Sequence, residues 1–113
     1  MVNERRRQQR LAISITVRVR GKDKSGQPFE EVTLSGDISS MGCSLLLSCD
    51  LAVGSELELE FQRHVPGKQE PVLHPLRGLV VRVVPLNEAQ FIMGIQFLNG
   101  LFPIDVLENW PSR

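Results

Sequence analysis

Short stretches of the sequence alternate hydrophobic and polar residues, a period of two that is typical of β-strands with one buried face. The alternation is clearest over residues 11–20, where leucine, isoleucine and valine occupy every odd position. It returns over residues 29–35 after a turn-rich stretch, so the first two strands are predicted to form a hairpin. Further strands are predicted over residues 43–48, 56–61, 72–84 and 91–98.

These six strands are short, evenly spaced and not separated by segments of helical periodicity, which favours an all-β barrel or sandwich. One short helix is expected at the end of the chain, because Pro103 suits a helix start and Ile104, Leu107 and Trp110 follow at helical spacing. The length of 113 residues and the 42% of hydrophobic residues suit a single domain with one core.

The sequence also bears on where the protein is located. No apolar run approaches the roughly 20 residues that span a bilayer. The N-terminal residues lack the apolar segment of a secretory signal. A cytoplasmic protein that does not insert into a membrane is therefore expected.

Charge is balanced over the whole chain but unevenly distributed along it. The 13 basic and 13 acidic residues cancel, which argues against a general binder of polyanions. The first ten residues nevertheless carry a net charge of +3, from four arginines against one glutamate: Arg5, Arg6, Arg7 and Arg10 against Glu4. Such a cluster suits a small, highly charged anion better than a long nucleic acid. A solvated basic tail is the alternative.

A candidate binding motif, Asp37-x-Ser39-x-x-Gly42, follows the second predicted strand. An ionised aspartate accepts two parallel hydrogen bonds, and the N1–H and N2–H₂ edge of guanine offers two donors in that arrangement, whereas adenine does not. Ser39 would add a hydroxyl, and Gly42 would permit a left-handed or tight backbone that approaches a ligand. Ordinary turn chemistry is the alternative, because Asp and Ser also bond to their own backbone.

Arg6 and Arg10 favour the ligand interpretation over the turn interpretation. The planar guanidinium group binds phosphate oxygens with two hydrogen bonds and stacks on purine rings. Two arginines four residues apart reach one compact ligand if the segment that carries them bends.

Together, the arginine pair before the first strand and the Asp/Ser/Gly motif after the second resemble the two-part signature of the PilZ domain family. The resemblance extends to the later strands and covers most of the chain, since residues 80–83 and 93–97 are similar to that family's closing strands. It implies a six-stranded antiparallel β-barrel that binds the bacterial second messenger cyclic di-GMP and needs no cofactor. In that family the arginine segment wraps over the ligand and the Asp/Ser loop holds a guanine.

The resemblance assigns cyclic di-GMP contacts to six positions: Arg5, Arg6, Arg10, Asp37, Ser39 and Gly42. In the family, the residue before the first motif arginine influences whether one ligand or a mutually intercalated pair is bound. Here that residue is Arg5, whose guanidinium would stack on an additional guanine, so an intercalated pair is expected. The predicted organisation is a flexible arginine-rich ligand-binding segment over residues 1–10, a barrel over residues 11–102 and a C-terminal helix or tail over residues 103–113.

The implied function is that of a receptor or adaptor. Cyclic di-GMP would change the conformation of the arginine segment, and the altered surface would signal to an unidentified effector protein in the control of motility, exopolysaccharide or biofilm formation. One alternative is a protein-interaction module of the same fold that binds no nucleotide. Another is a small barrel that binds RNA or single-stranded DNA, which the aromatic content of only 5% disfavours because such proteins stack bases on aromatic side chains.

The remaining reactive residues form no recognisable site. Cys43 and Cys49 match no metal or redox spacing and are expected to behave as small buried hydrophobes. His64 and His74 are isolated, so neither a metal site nor a catalytic set is predicted, and no enzyme activity is expected.

Three further arginines have no assigned role. Arg7 matches no motif position. Arg77 and Arg82 lie on a predicted strand, where either could border the ligand surface or simply face solvent.

Overall fold

The computed structural model describes residues 15–64 and 66–100, and it contains six β-strands. They are Thr16–Lys22 (β1), Pro28–Ile38 (β2), Gly42–Leu47 (β3), Glu56–Arg63 (β4), Val72–Pro85 (β5) and Phe91–Phe97 (β6). All neighbours are antiparallel, in the order β1-β2-β3-β6-β5-β4, and the pairing of β4 with β1 closes the barrel. The six-stranded antiparallel barrel expected from the sequence is confirmed.

Two of the predicted segments lie outside the described residues, namely the arginine-rich segment 1–10 and the C-terminal helix or tail 103–113. Within residues 15–64 and 66–100, the structure contains no helix long and apolar enough to cross a membrane.

The interior of the barrel is formed by the inward side chains of the alternating strands. β4 shows this best, because Leu57, Leu59 and Phe61 are buried there. Glu58, between the two leucines, is exposed. The ring of Phe61 meets that of Phe97 from β6 edge to face, with centroids 5.9 Å apart. The pattern of period two in the sequence therefore corresponds to one hydrophobic core.

β1 and β2 form the predicted hairpin. Its turn is fixed by Asp23, whose carboxylate accepts hydrogen bonds from the backbone N–H groups of Ser25 and Gln27, at 2.9 Å each, and from the Ser25 hydroxyl at 2.7 Å. These bonds, that of the Ser25 hydroxyl above all, hold the pKa of Asp23 below its ordinary value. Gly26 completes the turn with a φ of 86°, a conformation that favours glycine.

Two β-bulges interrupt the regular pairing of the barrel. One lies in β2 between Ser35 and Ile38, opposite β3, and the other in β5 between Val80 and Arg82, opposite β6. In each, the bulged strand has one more residue than its partner. Both bulges border the same row of paired residues, which crosses four strands: Ile38, Cys43, Ile95 and Val80. The bulges therefore face each other across β3 and β6.

Candidate functional site

A cleft with a volume of about 650 Å³ lies between the two bulges. Parts of β2, β3, β5 and β6 and the β2–β3 connection line it. This volume is typical of sites for small molecules. Among the described residues that line the cleft, those with charged side chains are Asp37 and Arg82.

The motif predicted from the sequence is brought together at this cleft, since Asp37, Ser39 and Gly42 all line it. Asp37 was expected in a loop but lies inside β2, which runs to Ile38. The bulge explains the difference, because the extra residue lets β2 continue its pairing with β3 beyond Ser35. The Asp37 side chain is exposed, so its carboxylate is accessible to a ligand.

Ser39 fixes the short connection between β2 and β3. The side chain is buried, and its hydroxyl accepts the Met41 N–H at 3.2 Å. It also donates a long hydrogen bond of 3.4 Å to the Gly42 carbonyl, which accepts the Ser39 N–H at 2.9 Å. The turn chemistry considered as an alternative is therefore present at Ser39. A ligand contact through this hydroxyl would replace the long bond to Gly42, which is the weaker of its two.

Gly42 is required by a close approach of two strands rather than by an unusual backbone conformation. Of the left-handed and tight conformations considered for it, the left-handed one is not adopted: Gly42 is paired within β3, opposite Gln96 of β6. A Cβ atom at this position would collide with the carbonyl oxygen of Ile95. Glycine therefore allows β6 to lie close against β3 beneath the cleft.

Two small residues that the motif does not include lie on the floor of the cleft. Ser44 of β3 pairs with Gly94 of β6, and both alternate with buried neighbours, so they face outward. Gly36 allows the β2 bulge to approach this floor, since a Cβ there would collide with the Ser44 hydroxyl oxygen. Glycines inside strands commonly mark bulges and close backbone contacts, and that signal was available in the sequence for Gly36 and Gly94.

The sequence assigned no role to two arginines of the fifth strand, and the structure places them in different parts of the barrel surface. Arg82 lines the cleft, whereas the Arg77 side chain forms an exposed ion pair with Glu56 on neighbouring β4. The backbone N–H of Arg77 donates to the Asn99 side chain at 2.7 Å. Only Arg82 of this pair is therefore available to a ligand that contacts Asp37.

Arg5, Arg6 and Arg10, together with the unassigned Arg7, lie outside the described residues.

The cysteines and histidines do not form a second site. Cys43 is buried, and burial raises the pKa of its thiol to about 12. Cys49 is half-buried, and its pKa is raised first by desolvation and then by nearby carboxylates. His74 lies 3.4 Å from the Arg63 side chain. Within the described residues, no group of three or more His, Cys, Asp or Glu side chains could hold a metal ion.

Labelling with a thiol reagent at pH 8 is expected to separate the two cysteines. The thiolate is the reactive form, and burial suppresses it at Cys43. In a Cys49→Ser variant, Cys43 should therefore react only at the rate at which the barrel opens. In a Cys43→Ser variant, Cys49 should react slowly but without unfolding. The rates would be followed by mass spectrometry, and equal rates for the two variants would contradict the expectation.

A family model described as PilZ domain matches residues 4–103. No curated protein sequence matches the chain. Among solved structures, the inhibitor of motility MotI/DgrA of Bacillus subtilis is similar with a TM-score of 0.62 and 19% identity, over 87% of this chain. The match spans only 44% of that protein, less than half its length.

Two further similar structures carry c-di-GMP in their descriptions. The PilZ domain of YcgR from Escherichia coli, with c-di-GMP, has a TM-score of 0.56 at 15% identity, over 85% of this chain and 79% of that one. The MrkH-c-di-GMP complex of K. pneumonia has a TM-score of 0.53 at 19% identity, over 95% of this chain and 48% of that one. At these identities, the structural likeness establishes a shared barrel fold.

Proposed function

Because the chain belongs to the PilZ domain family, whose model matches residues 4–103, we propose that it is a receptor for cyclic di-GMP. The observation that carries the proposal is the exposed carboxylate of Asp37 beside a cleft of about 650 Å³. Two structures with the same fold, described with c-di-GMP, support the choice of ligand. The receptor is proposed to be a cytoplasmic binding module without enzyme activity.

Asp37 is proposed to recognise a guanine. Its two carboxylate oxygens would accept hydrogen bonds from the N1–H and N2–H₂ groups, a pair of donors that adenine lacks. Ser39 and Gly42 would hold the β2–β3 connection in place and offer their polar atoms to the same ligand. Selectivity for guanine over adenine would therefore originate at this end of the cleft.

The N-terminal arginines are proposed to supply the phosphate contacts. Arg6 and Arg10 would bind phosphate oxygens of the ligand, and Arg5 would stack on the guanine of a second, intercalated molecule. Charge-assisted hydrogen bonds contribute about 1.5–3 kcal/mol each. A few of them, with base stacking, reach micromolar affinity, about −8 kcal/mol, after the cost of ordering the segment.

Ligand binding is proposed to change the conformation of residues 1–10 and thereby the surface next to the cleft. A change of this kind would let a separate effector protein distinguish the loaded receptor from the empty one. The control of motility, exopolysaccharide or biofilm formation is the proposed output.

Calorimetric titration with cyclic di-GMP, GTP and cyclic di-AMP tests the proposal. Selective binding of cyclic di-GMP is expected, with two ligands per chain if the pair intercalates. Arg6→Ala should weaken binding at least 100-fold, and Asp37→Asn about 10-fold to 100-fold, because the amide replaces one acceptor by a donor.

Asp50→Asn is the matched control for Asp37→Asn. Both changes remove one exposed negative charge, but Asp50, which forms an ion pair with Lys24, does not line the cleft. Removing negative charge alone should slightly favour an anionic ligand. A loss of affinity at Asp37 with no loss at Asp50 would therefore identify a specific hydrogen-bonding role. Absence of cyclic di-GMP binding by the unmodified protein would refute the receptor function and favour the protein-interaction module.

A further inference from the structure

Arg82 is placed at the cleft by the β5 bulge. The bulge inserts Val81 between two paired residues, and both Val81 and Arg82 are exposed as a result. Among the described residues, Arg82 has neither a hydrogen bond nor an ion pair. An arginine held at the edge of a cleft without a partner retains all five of its N–H donors for a ligand.

The Arg82 side chain lies over the floor of the cleft. It is opposite Gly94, and its Cβ and Nε atoms lie 3.4 and 3.6 Å from the position that a Gly94 Cβ would occupy. Gly94 has no side chain, and it lines the cleft together with its paired residue Ser44. The guanidinium group can therefore approach a flat molecule that rests on this floor.

Asp37 and Arg82 stand at opposite ends of this floor. β2 and β5 are separated by β3 and β6 in the barrel order, so the path between the two residues along the curved sheet is three strand spacings, about 14 Å. A guanine held by Asp37 leaves a second guanine, of the same molecule or of the intercalated one, to lie over the floor toward Arg82. This step rests on the proposed function.

We propose that Arg82 binds the O6 and N7 edge of the second guanine and makes the receptor selective at that base. Two parallel N–H groups of an arginine match these two acceptors. Adenine presents an amino group in place of O6, so the same arginine would meet a donor there. Asp37 would then recognise one guanine and Arg82 the other.

The test is calorimetric titration with two ligands: cyclic di-GMP, and the mixed cyclic dinucleotide that contains one guanine and one adenine. The unmodified protein is expected to bind cyclic di-GMP at least 10-fold more tightly than the mixed dinucleotide. Arg82→Ala should weaken cyclic di-GMP binding about 10-fold and reduce this preference to near unity. Arg82→Lys keeps the charge but loses the fork of donors, so it should lose most of the preference as well.

Arg77→Ala is the matched control. It removes an exposed arginine from the same strand, and its partner Glu56 lies away from the cleft. It should leave both affinities within about twofold of the unmodified protein. Since Arg77 and Arg82 are both exposed, equal melting temperatures are expected for the two variants.

The outcomes separate this inference from the receptor function. If the unmodified protein binds neither dinucleotide, both proposals fail. If it binds cyclic di-GMP and Arg82→Ala changes nothing, the receptor function stands and the role of Arg82 is refuted. If Arg82→Ala weakens both ligands equally, Arg82 contacts phosphate and the assignment to a base edge is refuted.

Discussion

Phe61→Ala is expected to lower the free energy of unfolding by about 3–5 kcal/mol, the usual cost of removing a fully buried aromatic ring. Phe61 is completely buried in β4 and packs edge to face against Phe97. It lies opposite Val17 of β1 and His74 of β5 in the strand pairing, so its loss would leave a cavity between three strands. Since single domains of this size are typically stable by about 5–15 kcal/mol, the substitution would remove a large part of the total.

The measurement is urea denaturation followed by circular dichroism. Phe61→Leu is the control, because leucine keeps most of the buried apolar surface but not the aromatic pair. It should cost about 1–1.5 kcal/mol. A loss below about 1 kcal/mol for the alanine variant would show that the barrel does not depend on this packing.

Gly42→Ala is expected to lower the free energy of unfolding by about 1–3 kcal/mol, the range for added atoms in a well-packed interior. The new Cβ would meet the carbonyl oxygen of Ile95. A backbone oxygen cannot rotate away as a side chain can, so β3 and β6 would have to separate. The cost should therefore fall in the upper part of this range.

Gly94→Ala provides the same chemical change two rows along the same pair of strands. A Cβ there would have its nearest contact at 3.4 Å, to the Arg82 side chain, which is ordinary packing. Its stability should stay within about 1 kcal/mol of the unmodified protein. Thermal denaturation of the two variants compares them directly, and equal melting temperatures would contradict the role assigned to Gly42.

The strands could be predicted from the sequence because one face of each strand is buried. Burial of one face produces the alternation of hydrophobic and polar residues along the chain. The sequence also predicted Asp37, Ser39 and Gly42 as candidate ligand contacts, and the structure places all three at one cleft because they lie close together along the chain. Arg82 could not be assigned in this way. Its position depends on the bulge at Val81 and on a pairing with β6, and neither is visible in the alternation of β5.

The physical role of Gly42 could not be predicted from the sequence, for a related reason. Its neighbour in the structure is Ile95, more than 50 residues along the chain, and only the pairing of β3 with β6 brings them together. The sequence predicted that the backbone at Gly42 approaches a ligand, whereas the structure shows another strand of the barrel lying against it.

The barrel order divides the six strands into two halves of three, each made of strands that follow one another along the chain. β1, β2 and β3 form one, β4, β5 and β6 the other, and the halves meet where β3 pairs with β6 and β1 with β4. The cleft straddles the first of these two seams: Asp37 and Ser44 belong to one half, Gly94 and Arg82 to the other. Neither half alone contains the cleft, so the cleft forms only when β3 pairs with β6. A ligand that contacted both Asp37 and Arg82 would therefore stabilise the pairing of the two halves.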